Sequence, residues 1–128
     1  MNAELRNRFD RLLEQVLAEL PEALQRRLEE VPVIADDRPP RELLRRFGAR
    51  DPRNIRGLYT GIPLVRRSVM HSGTMPDRIS IYREGIVAGA GGVRAGDAAL
   101  KDQIRRTVLH EIGHHFGLGE GDLRGLGY

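Results

Sequence analysis

The stretch "LHEIGHHFGLGEGD", residues 109–122, restricts the local structure of this chain more tightly than any other. It holds three of the four histidines, with Glu111 directly behind His110. On a helix, residues four apart are separated by roughly 40° around the axis and about 6 Å along it. His110 and His114 therefore face one way if this stretch is helical. Glu111 lies about 100° from His110 and about 60° from His114, off the line of the imidazoles but within reach of a water held between them. Val108, Leu109, Ile112 and Phe116 fall broadly on the other side and predict a helix anchored in the core by that face. Gly117 tolerates the left-handed conformation, so it predicts a helix stop and a turn back. The H-E-x-x-H spacing is that of two imidazole ligands with a neighbouring base.

The chain has no cysteine, so thiolate metal sites, disulfides and a cysteine nucleophile are excluded. Zinc held by two histidines needs a third protein ligand and keeps a fourth position open for water. Glu120 stands ten residues after His110, where H-E-x-x-H-x-x-G-x-x-H proteins place that ligand. Carboxylate oxygen is an acceptable zinc ligand. Asp122 is the second choice and His71, in a loop, a distant one. His115 lies about 140° from His110 and one turn after Glu111, which suits a helix-end residue or a partner that orients Glu111.

A length of 128 residues suits one domain spanning 1–128. No apolar run is long enough to span a membrane. The opening "MNAELRNRFD" is charged throughout and does not read as a secretory signal, so cytoplasmic residence is the expectation. Net charge is +3, and Lys101 is the only lysine among 21 basic residues. Residues 36–56 hold seven Arg against four acids. The signs are interspersed and aromatics are only 5%, so this segment reads as a solvated face and not as a nucleic-acid surface.

Leu5, Phe9, Leu12, Leu13, Val16, Leu17 and Leu20 form one stripe of an amphipathic helix over 3–20. Pro21 ends it and opens a second helix carrying Leu24, Leu28 and Val31. "VPVIADD" (31–37) predicts a short strand, with Pro32 marking its start or an edge. "PPRELLRRFG" (39–48) predicts a short helix capped by Gly48. "GLYTGIPLV" (57–65) reads as an edge strand or strand-like loop and 66–77 as a loop. "RISIYRE" (78–84) alternates as a half-buried strand. The Gly/Ala-rich stretch 85–97 predicts a turn and loop ending in Asp97 as N-cap. A long helix follows, from about Ala98 to Phe116.

At these residues the chain resembles the small bacterial zincin-like metallopeptidase family, sometimes described as minimal zincins. "LPEALQRRLEEVPVIADD", "GLYTGIPL", "PDRISIYRE" and "RRTVLHEIGHHFGL" occur in the family's order, and the resemblance covers most of the chain. It implies an α+β, zincin-like fold: a small mixed sheet packed on N-terminal helices and on a C-terminal helix carrying the motif. It also implies a zinc site of His110, His114 and Glu120. The family usually has Asp where Glu120 stands, and segment 66–76 is particular to this chain.

The expected function is that of a zinc-dependent peptidase, hydrolysing peptide bonds through a metal-activated water with Glu111 as general base. Tyr82, Tyr128, His115 or an arginine is the expected oxyanion donor. The expected partner is a peptide or protein substrate, with neither membrane nor nucleic acid involved. No Met-turn and no remote glutamate helix follow Gly117, which predicts a shallow cleft, or one completed by a second copy or another protein. The alternatives are a metal-dependent endoribonuclease and a non-catalytic zinc-binding interaction domain. The first would not need an acid at position 111, and the second would close all four coordination positions.

Overall fold

Asn2 opens the first helix by accepting the Leu5 amide on its side chain at 2.8 Å. That helix, α1 (Ala3–Glu19), buries Phe9, Leu12, Leu13 and Val16 along one stripe. Each such side chain contributes about 1.5–3 kcal/mol on burial. After Pro21 comes α2 (Glu22–Glu30), whose Leu24 and Leu28 pack partly buried against the same core. The computed structural model describes residues 1–61, 77–119 and 121. Its remaining elements are β1 (Val33–Asp36), α3 (Arg41–Arg46), a 3-10 turn at Pro52–Asn54, β2 (Gly57–Thr60), β3 (Arg78–Tyr82), α4 (Arg83–Gly89) and α5 (Asp97–His115).

The fold is α+β, and the described residues form a mixed three-stranded sheet in the order β1-β3-β2. Strand β1 runs parallel to β3 and β2 runs antiparallel to it. Among the described residues β1 and β2 are therefore the outer strands; Pro32 precedes the start of β1, one of the two places expected of it, and β2 ends just before Gly61. Helix α5 packs against α1, α4, β2 and β3, and buries Leu100, Ile104, Val108 and Ile112 in the common core. No helix among the described residues is long and apolar enough to cross a membrane.

Three expectations are corrected. Strand β3 is not half-buried: Ser80 and Tyr82 are enclosed along with Ile79 and Ile81, so both faces of this central strand are covered. The Gly/Ala-rich stretch 85–97 is not all loop, since α4 follows β3 directly. Gly85 allows this: a Cβ there would stand 2.7 Å from the Ile55 carbonyl, so the helix docks backbone to backbone on the 3-10 turn. Burial of Ile86 and Val87 then outweighs the poor intrinsic propensity of glycine. The cap of α5 is Gly96, and Asp97 is the first helical residue, paired with Arg8 at 2.6 Å. An acid is favoured in a first turn by the helix dipole, which is why its position reads as a cap.

A partly buried ionic cluster centres on Arg83. Arg83, 9% exposed, lies between Asp10 at 2.9 Å and Asp37 at 3.1 Å and stacks over the Phe9 ring. Arg6 also reaches Asp37, at 2.7 Å. Together these contacts join α1, the chain leaving β1, and α4.

Candidate metal centre and active-site cleft

The last two turns of α5 carry the motif. His110 and His114 stack edge to face with ring centroids 4.9 Å apart, as the four-residue spacing requires. One donor atom from each of His110, Glu111 and His114 falls within 4.8 Å of the others. Both imidazoles are half-buried, and Glu111 is buried.

The helix stop sets the orientation of His114. Gly117, at φ 89°, ends α5. Its amide donates to the His114 carbonyl at 2.9 Å and the Leu118 amide to the Gly113 carbonyl at 3.0 Å, the pair of bonds of a Schellman cap. This returns the Leu118 carbonyl to the His114 ring, 3.1 Å from Nδ1. A carbonyl only accepts, so Nδ1 carries the proton and Nε2 carries the lone pair that a metal needs. The donor set, two imidazoles and a carboxylate, fits zinc.

Glu111 is held by the sheet. Its Oε1 accepts the Tyr59 amide at 3.0 Å. The phase of β2 explains why that amide is available. Tyr82 donates to the Arg56 carbonyl at 2.8 Å, so in this antiparallel pair Gly57 and Tyr59 turn their main-chain groups away from β3. They face an open cleft of about 1170 Å³. Strand β2 forms one wall of it, His110, Glu111 and His114 lie along α5, and Gly117–Gly119 close one end.

The other expected residues are distributed differently. His115 is 2% exposed and points to Asp77, its Nδ1 2.8 Å from Oδ2. Tyr82 lies in the core and outside the residues that line the cleft, and burial pushes its hydroxyl pKa up. Tyr59 lines the cleft instead. Glu120, Asp122, His71 and Tyr128 lie outside the described residues, as does the loop expected at 66–76. The sequence reading did not single out Tyr59 or Asp77, and no spacing rule links either to the motif.

A helix presenting H-E-x-x-H beside a mixed sheet, with an antiparallel strand over the glutamate, defines a zincin-type metallohydrolase architecture. A family model described as zincin-like metallopeptidase matches residues 28–128. The chain belongs to that family, which carries a metal, typically zinc, and supports peptidase activity in general. No curated protein matches the chain.

Proposed function

We propose that this protein is a zinc-dependent peptidase in which His110, His114 and Glu120 hold the ion and Glu111 is the general base. The observation that carries the reading is the convergence of His110, Glu111 and His114 donors within 4.8 Å on the cleft wall formed by α5. Gly117–Gly119 line the same cleft as the two imidazoles, and the ten-residue spacing from His110 favours Glu120 as the third ligand.

When bound, zinc supplies Lewis acidity, which acidifies an attacking water and polarises the peptide carbonyl. Glu111 takes the proton of that water through its carboxylate and passes it to the leaving amine nitrogen. The Tyr59 amide steadies the carboxylate through both transfers. His114 is kept in one tautomer by the Leu118 carbonyl, so its Nε2 presents the lone pair that would hold the ion. An extended substrate adds to the outward-facing groups of Gly57 on β2, which places its scissile bond across the motif.

The test is zinc content and turnover of wild type and Glu111→Gln on a peptide library, with a single-stranded RNA substrate in parallel. Peptide cleavage by wild type and none by the variant, at equal zinc, supports the assignment. Equal cleavage by both, or cleavage of RNA alone, overturns it.

A further inference from the structure

Behind Glu111, on β2 and at the end of α5, lies a polar cluster that neither metal binding nor proton transfer requires. Asp77 is 8% exposed, and its Oδ2 accepts from the Tyr59 hydroxyl at 2.7 Å and from His115 Nδ1 at 2.8 Å. Tyr59 belongs to β2 and His115 is the last residue of α5. One carboxylate therefore bridges β2 to the helix end. Chain geometry is adapted to it: a Cβ at Gly61 would clash with Asp77 Oδ1 and stand 2.9 Å from the Tyr59 hydroxyl.

Glu111 and His115 lie one turn apart on the same side of α5. Tyr59 grips both levels at once. Its amide donates to Glu111 at 3.0 Å, while its hydroxyl engages the Asp77–His115 pair one turn further on. Burying three polar side chains is costly unless each is satisfied, and an apolar plug would serve stability as well. What an apolar plug would not supply is a fixed register between β2 and Glu111.

We propose that Asp77 is a positioning residue for the general base: by clamping the Tyr59 ring against His115 it fixes β2, and so fixes the amide that aims Glu111. Tyr59 is the arm through which it acts. The catalytic part of this inference rests on the peptidase reading above, whereas the clamp itself is testable without any metal.

The experiment uses Tyr59→Phe and Asp77→Asn in the full chain, with Glu111→Ala as the reference that lacks the carboxylate. In zinc-free protein, hydrogen exchange at the residue-59 amide rises about tenfold in both clamp variants, toward the Glu111→Ala level, while the Ile79 and Ile81 amides keep wild-type protection. In zinc-loaded protein, kcat falls by about 10-fold to 100-fold with KM and zinc stoichiometry unchanged. A residue-59 amide as protected as in wild type in a folded clamp variant overturns the proposal. So does protection lost equally at residues 59, 79 and 81, which marks a structural role alone. Should Asp77→Asn not fold, Tyr59→Phe, which removes one oxygen, decides. If wild type cleaves no peptide, the peptidase reading fails while the amide measurement still judges the clamp.

Discussion

Gly57 on β2 leaves too little room for a side chain beside Glu111 on α5: a Cβ at position 57 would stand 3.1 Å from Glu111 Cγ, and also 3.0 Å from Thr107 Cγ2. The strand passes this close only because residue 57 has no side chain. Gly57→Ala is expected to push β2 off the helix, destabilising the fold by about 1–3 kcal/mol and lowering turnover with it. Urea unfolding and steady-state kinetics on the same preparation check this. A variant as stable and as active as wild type would mean that the contact is slack.

Glu111→Gln keeps the shape and the acceptor oxygen for the Tyr59 amide but cannot take a proton. Turnover is expected to fall by about 10²–10⁴-fold, with zinc content unchanged by elemental analysis.

The third ligand separates two neighbouring acids. Glu120→Ala is expected to weaken zinc binding by more than about 100-fold, since even residues that merely support a ligand cost 10-fold to 100-fold. Asp122→Ala leaves affinity at the wild-type level. Competition with a chelating dye reads both, and the reverse ranking would transfer the role to Asp122.

Metal removal is expected to lower stability without abolishing the fold, because the core around Phe9, Ile79, Ile104 and Val108 does not include the site. Zinc at a hundredfold excess over its dissociation constant adds about 2.7 kcal/mol, a shift on the order of 10 °C in melting temperature for a domain of this size. Calorimetry with chelator, then with zinc restored, measures it.

Asp37 sets an acid limit. Its hydrogen bond from Arg6, reinforced by Arg83, lowers its pKa to about 2 from 3.8. The folded value lies below the unfolded one, so this stabilisation is complete above about pH 4 and is lost as pH falls toward about 2. Solvent reaches the pair, and screening reduces the contribution to about 1 kcal/mol. Asp37→Asn is expected to flatten the stability profile between about pH 4 and about pH 2 in urea titrations.

Where one signal dominates, the fold can be read from the residues. The stripe from Phe9 to Val16 specifies α1, and the span between Asp97 and Gly117 specifies α5 to within a residue. Helix α4 is illegible because Gly85 is there for a backbone contact with Ile55, distant in the chain. The burial of Ser80 and Tyr82 is hidden for a similar reason, since polar atoms alternating with isoleucine read as a solvent face. In the site, His110, Glu111 and His114 are legible because one helix carries all three. Tyr59 and Asp77 are not: the bonds that matter join residues 52 and 18 positions apart. A main-chain donor such as the Tyr59 amide leaves no mark on the sequence at all.

Both imidazoles and the acid between them occupy the terminus of α5, while its opposite end is moored by Arg8 on Asp97 and by Lys101 on Glu19. At the motif end Ile112 and His115 are buried and the Tyr59 amide ties Glu111 to the sheet, so heat has no loose turn to unpick there. Heat inactivation should therefore track the circular dichroism melt and not run ahead of it.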